Sequence, residues 1–298
     1  MADGPRTTTQ VGAPPLISGL SAIIGDYDLI LCDVWGVIHN GVSAFPAACA
    51  ALTQAREGGR TVVLVSNAPR PNSAIVTMLD GLGAPRSAYD AIVTSGDVTR
   101  AQLAAHPGAR VFHLGPDRDL STYDGLDLAL SPAEAADLVV CTGLFDDNVE
   151  TPADYADMLA AMKARDLPFI CANPDLVVER GDRLVYCAGA IAEAYEALGG
   201  HTTYCGKPHQ PIYDTALALA STLRGGPVPA ARVLGIGDAL RTDIAGANGA
   251  GFDSLFIAGG IHAQELKAHD GAVPDSASLA ALFSGHAHPR GVMPRLAW

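Results

Sequence analysis

The sequence predicts an α/β protein with a mainly parallel sheet. Three observations predict it. Short runs rich in Val, Ile and Leu alternate with longer Ala-rich amphipathic stretches, Gly and Pro stand at the joints, and several apolar runs stop abruptly at a polar residue. The strand candidates, in order, are DLILCDV (28–34), TVVLVS (61–66), AIVTS (91–95), RVFHL (110–114), DLVVCT (137–142), PFICA (168–172), RLVYC (183–187), TTYCG (202–206), RVLGIG (232–237) and SLFIAG (254–259). Helices are expected between them, for example over FPAACAALTQARE (45–57), TPADYADMLAAMKARD (151–166) and PIYDTALALASTLR (211–224). Residues 1–15 read as a flexible tail. The end, HAHPRGVMPRLAW, reads as a strap that docks Leu296 and Trp298 on the body. There is no internal repeat and no low-complexity block.

Composition narrows the function classes. The chain has 298 residues, 49% of them hydrophobic, and a formal net charge of −13. A field of that sign repels nucleic acid and anionic membrane surfaces, and no Lys/Arg run offers a local exception. A phosphate site in such a chain must carry its own cation. No apolar stretch is long enough to span a bilayer, and the N-terminus lacks the basic-then-apolar order of a signal peptide, so a cytoplasmic protein is expected. The six cysteines form no C-x-x-C pair and four lie in strand-like runs, which reads as buried, reduced thiols rather than a zinc site. Cys32 neighbours Asp33 but should face the other way on its strand.

Four strand ends carry polar residues: Asp33 after LILC, Ser66 and Asn67 after VVLV, Lys207 after TYCG, and Asp238 after VLGIG. Ligands of open parallel sheets bind outside the carboxyl ends of the strands. Singly, each residue reads as a turn starter, a helix cap or a solvated lysine. Jointly they read as a site.

These stretches resemble the motifs of the haloacid dehalogenase (HAD) superfamily, and more closely its subclass IIA, over nearly the whole chain from about residue 24. DVWGVI from Asp33, VSN ending at Asn67, GKP around Lys207 and GDALRTD from Gly237 to Asp243 look like the four family motifs in family order. ANPD (172–175) and AGAI (188–191) look like the subclass too. The resemblance implies a Rossmann-like parallel-sheet core of residues 1–96 and 203–298 with an inserted α/β cap domain at 97–202. It further implies a phosphohydrolase for a small phosphorylated metabolite, with Asp33 attacking phosphorus to give an aspartyl-phosphate. Mg²⁺ would be held by Asp33, the main-chain carbonyl of Trp35, Asp238 and, through water, Asp243. Ser66 and the Asn67 N–H would hold phosphoryl oxygens, and Lys207 would neutralise charge. Caps of this type often pair in the family, which makes a homodimer through the cap the protein partner to expect.

At position 35 the pattern breaks. Family phosphatases carry there a second Asp, the general acid and base, whereas this chain has Trp35. The main-chain carbonyl survives that exchange and the proton relay does not, a loss of roughly 10²–10⁴ in rate. His39 is the candidate replacement and a substrate contact, although a half-exposed loop histidine is its plainer reading. Asn40 and Arg70 are further candidate substrate contacts. His209 reads as a helix start, and His286 and His288 as exposed tail. The competing reading is a catalytically weak phosphate-ligand binder or scaffold of the same fold. A dehalogenase needs no magnesium acids, and a dinucleotide fold would want Gly where Leu240 stands.

Overall fold

The computed structural model describes residues 12–180 and 183–298, and the chain folds as two compact units. One comprises the residues up to Val65 with Met78–Ile92 and Tyr213–Trp298. The other comprises Ser66–Thr77 and Val93–Ile212.

A six-stranded sheet has the order β13-β12-β11-β1-β2-β3, formed by Leu29–Cys32 (β1), Thr61–Ser66 (β2), Ala91–Thr94 (β3), Val233–Gly237 (β11), Asp253–Ile257 (β12) and Gly291–Met293 (β13). Its β2–β1, β1–β11, β11–β12 and β12–β13 pairs are parallel. Every residue of β1, β2 and β11 is buried, which is why these stretches read as continuous apolar runs rather than alternating ones. Helix α1 (Pro46–Glu57) begins with proline at its first position, where no backbone donor is lost, and ends at Gly58. It buries Ala48, Cys49, Ala51, Leu52 and Ala55, a stripe of helical spacing.

The other sheet is wholly parallel, with order β10-β7-β6-β4-β5, from Ala109–Leu114 (β4), Leu128–Leu130 (β5), Leu138–Cys141 (β6), Phe169–Cys171 (β7) and Thr202–Tyr204 (β10). Its core gathers Leu114, Val139, Leu159, Phe169, Ile191 and Tyr195, with the Phe169 and Tyr195 rings stacked at 4.9 Å. Apart from both sheets, Val177–Arg180 (β8) and Arg183–Tyr186 (β9) form an antiparallel hairpin.

The α/β architecture and its parallel core sheet agree with the sequence reading, and each strand candidate contains a strand. Three strands escape it: β5, β8 and β13 are short, and β5 and β8 lack a buried apolar run. RLVYC is a strand, but of the hairpin. The expected 151–166 helix opens as a tight turn, Pro152–Tyr155, and becomes an α-helix over Ala156–Ala164 (α4). The strap supplies β13 and buries Leu296 at 1% exposure, whereas Trp298 stays 40% exposed, so only one of the two expected anchors docks fully. Of the expected tail, residues 1–11 lie outside the described residues. Pro14 is buried, and the Val292 N–H donates to the Pro15 carbonyl at 2.8 Å. All six cysteines are buried and none forms a disulfide. Among the described residues, no helix is long and apolar enough to cross a membrane.

Candidate active site

In the first unit, adjacent parallel strands β1 and β11 end side by side and each delivers an aspartate. The Asp33 N–H donates to the Ile236 carbonyl at 2.8 Å, continuing the ladder one residue beyond β1. Asp33, Asp238 and Asp243 are buried, and a carboxylate oxygen from each lies within 4.8 Å of the others. Asp238 is seated by the Ile261 N–H, which donates to Oδ2 at 2.8 Å. Gly36 and Gly260 make this seat possible, since a Cβ at either would overlap the Asp238 carboxylate. Gly36 also has φ +78, which a side chain would strain. Asp243 stands on the helical turn Leu240–Ile244, and its Oδ2 accepts from the N–H groups of Asp238 at 3.1 Å and Ala239 at 3.0 Å. An oxygen-only donor set of this kind fits a hard divalent cation such as Mg²⁺.

The segment after Asp33 folds back as a small flap over 35–44. Trp35 bridges to His39, and His39 to Ala44. The Gly36 N–H donates to the His39 carbonyl at 2.8 Å, and the Phe45 N–H to the Ile38 carbonyl at 2.6 Å. Asn40 Oδ1 accepts from the N–H groups of Val42 and Ser43, each at 3.0 Å, so this exposed residue builds the turn. The Trp35 indole lies against Gly41, where a Cβ would come within 2.7 Å of the ring, and meets His39 edge-on with centroids 5.0 Å apart. His39 is fully buried, which corrects the expected half-exposed loop histidine. Its Nδ1 accepts from the Gly41 N–H at 2.9 Å, leaving the proton on Nε2. Burial pushes its pKa down to about 4. At neutral pH this ring is therefore uncharged.

The second unit holds the remaining candidates. Ser66 closes β2, and its Oγ accepts from the Ala68 N–H at 3.2 Å. Asn67 clamps the Lys207 backbone from both sides: Oδ1 accepts from the Lys207 N–H at 2.7 Å, and Nδ2 donates to the Lys207 carbonyl at 3.1 Å. The same Nδ2 donates to Asp175 Oδ1 at 2.9 Å, so the ANPD stretch fixes the orientation of the Asn67 amide. Gly206 lets these pieces meet, since a Cβ there would overlap Asn67 Oδ1. Lys207 is 4% exposed. Arg70 faces Asp119, with Nε 3.7 Å from Oδ1. The structure thus joins Asp33, Asp238 and Asp243 in one cluster, and Asn67 with Lys207 in another. The sequence reading does not reach Asp119 or the role of Asp175. ANPD is conspicuous there, but its partner lies 108 residues away.

A family model described as haloacid dehalogenase-like hydrolase matches residues 30–129, and one described as HAD-hydrolase-like matches 204–280. A hydrolase of the haloacid dehalogenase-like family from Brucella suis is 48% identical in sequence and superposes with a TM-score of 0.84, covering 94% of this chain and 100% of that one. D-glycerol 3-phosphate phosphatase of Mycobacterium tuberculosis is 30% identical over 254 residues, which span 82% of this chain and 66% of that protein. Glycerol-3-phosphate phosphatase of Gallus gallus is 28% identical, over 85% of this chain and 89% of its own length. The buried carboxylate cluster and the end-to-end match to the Brucella hydrolase lead to one conclusion: the chain belongs to the haloacid dehalogenase-like hydrolase family.

Proposed function

We propose that this protein is a magnesium-dependent phosphohydrolase acting in the cytoplasm on a small phosphorylated metabolite. The observation that carries the reading is the set of three buried carboxylates, Asp33 and Asp238 at the tips of two neighbouring strands and Asp243 on the helical turn that follows. In this reading the Asp33 carboxylate attacks phosphorus and the ester oxygen leaves. Water then cleaves the resulting acyl phosphate, returning Asp33 and inorganic phosphate. Ser66 and the Asn67 N–H hold phosphoryl oxygens, and the Lys207 ammonium offsets their charge. Asp33, Asp238 and the Trp35 carbonyl, with Asp243 through water, would hold a magnesium ion, whose chemistry is to neutralise charge on the phosphoryl group. Residues 97–202 form the cap that selects the alcohol. The two relatives named as glycerol phosphate phosphatases make glycerol phosphates the first esters to try.

Trp35 shapes the kinetics. With an indole in place of the acid, the ester oxygen departs as an anion and no carboxylate at this position activates the hydrolytic water. Aryl and acyl phosphates should therefore outpace alkyl phosphates. The phosphorylated Asp33 should accumulate, giving a burst of alcohol before a slow steady state. Trp35 also favours a second reading, a phosphate-ligand binder that turns over nothing. A panel of esters including 4-nitrophenyl phosphate, assayed with and without Mg²⁺ on wild type and Trp35→Asp, separates the two. The hydrolase reading expects Mg²⁺-dependent release and a turnover raised ~10²-fold in the variant. Phosphate released by neither protein, with phosphate analogues still bound, establishes the binder.

A further inference from the structure

In the five-stranded sheet the chain passes from β4 to β5 on one side and then returns to place β6 on the other. The loops leaving β4 and β6 therefore diverge, and a parallel sheet opens a ligand crevice at such a reversal of strand order. The residues at these two strand ends are unusual for a structural core. Thr142, the residue after β6, is 3% exposed, and its Oγ1 is buried without a hydrogen-bond partner. Gly115, the residue after β4, leaves room for that hydroxyl, because a Cβ there would overlap it. Asp119 is 2% exposed and stands in the turn Asp117–Tyr123 beside Thr142, with Arg70 Nε 3.7 Å from its carboxylate. That gap is too long for a hydrogen bond. Burial pushes the Asp119 carboxyl up, with Arg118, Arg70 and the nearby Thr142 hydroxyl opposing it.

The Thr142 hydroxyl has the Asp119 carboxyl as its polar neighbour but makes no hydrogen bond of good geometry to it, and buried polar groups are nearly always satisfied, so the pair has capacity for a further partner. The surroundings are rigid. His113 fastens the turn at both ends, through the Tyr123 hydroxyl at 2.8 Å and the Pro116 carbonyl at 3.3 Å. Two buried threonines pin the backbone that carries Arg70: Thr94 Oγ1 donates to the Arg70 carbonyl at 2.8 Å, and Thr122 Oγ1 to the Pro69 carbonyl at 3.0 Å. A half-exposed arginine with so fixed a backbone is preorganised. The chemistry on offer is an acceptor at Asp119, donors at Arg70, and a hydroxyl that can be either. A ligand hydroxyl matches all three, since it can donate to Asp119 while accepting from Arg70.

We propose that Asp119, Arg70 and Thr142 form a recognition site for a hydroxyl of the substrate's alcohol portion, which makes the substrate a phosphate ester of a small polyol. The inference rests on the phosphohydrolase reading above, and on proximity along the chain. Arg70 follows Asn67 by three residues, so at most ~10 Å of chain separates the two. An alcohol of a few carbons spans that distance.

The test compares glycerol 1-phosphate with propyl phosphate, which lacks the hydroxyls, in wild type, Asp119→Asn and Thr142→Val. Hydrogen bonds to a charged group are strong enough that wild type should favour the glycerol ester by at least about tenfold in kcat/KM, and the ratio should fall toward one in both variants. The phosphonate analogues of the two esters, titrated calorimetrically, give the same comparison without turnover. A wild-type ratio near one overturns the proposal, as does a ratio that survives both substitutions. If no ester, including 4-nitrophenyl phosphate, releases phosphate, the hydrolase reading falls. The phosphonate affinities then decide the recognition site alone, and equal affinity for the two analogues overturns it.

Discussion

The indole of Trp35 rests on Gly41 and against His39, so the residue that the proposed mechanism puts in place of an acid is also a wall of the flap. That packing explains why His39 is dry and why, in the proposed mechanism, it is a poor source of a proton for the leaving group. A neutral, fully buried imidazole is costly to charge. Free histidine titrates near 6.5 and His39 only at about 4. Between those values the unfolded chain takes up a proton that the folded chain refuses. The corresponding stability is complete above pH 6.5 and is lost as pH falls toward 4, by at most about 3 kcal/mol. Urea unfolding followed from pH 7.5 to 4.5 should show this decline. His39→Asn, which keeps an acceptor for the Gly41 N–H but does not titrate, should flatten it. A decline of equal size in the variant would assign the acid sensitivity elsewhere.

The hairpin of β8 and β9 belongs to neither large sheet, and one buried carboxylate ties it down. Asp147, 7% exposed, takes Arg180 at 2.7 Å from β8 and Arg118 at 2.5 Å from the turn that also carries Asp119. The hydrogen bond from Arg180 holds its carboxyl down to about 2. Both arginines are about half exposed, so the pairing is screened and contributes about 1 kcal/mol rather than several. Asp147→Asn should therefore leave global unfolding nearly unchanged while speeding amide exchange in 177–186, read by hydrogen exchange. Slow exchange retained there would show that Asp147 is not the fastening. At this scale the sequence was legible where an element is buried on both faces, as in β1, β2 and β11. It was opaque for β5 (LAL) and β8 (VVER), whose residues are too few to mark a period. Asp33 and Asp238 were legible because each follows an apolar run, whereas Asp243 was reached only through the motif resemblance. The clamp of Asn67 on Lys207 and Asp175 was not, since a hydrogen bond across 108 or 140 residues leaves no periodic trace.

Across the whole molecule, the described ends of the chain are joined. Leu16 bridges to Val292, the Ile17 N–H donates to the Val292 carbonyl at 3.0 Å, and the Leu20 N–H to the Ala297 carbonyl at 2.8 Å. The strap is held on its other side by β12, where the Ala258 N–H donates to the Met293 carbonyl at 2.8 Å. Removing residues 291–298 would unpair that edge and expose Leu20 and Phe256, both fully buried. We expect a melting temperature lower by about 5 °C or more and a greater tendency to aggregate, measured by calorimetry and light scattering. A truncated chain that melts with the full one would make the strap an ornament.

The sheet order has a consequence for the chain as it is being made. The strands of the five-stranded sheet all lie within 109–204, an uninterrupted stretch that can fold as soon as it leaves the ribosome. Strand β1 is translated early, yet one of its two partners, β11, begins only at Val233. Until then Asp33 waits without Asp238 and Asp243, and the three-carboxylate cluster does not exist. The cluster of buried carboxylates is thus assembled among the last, when the chain that must surround it already exists.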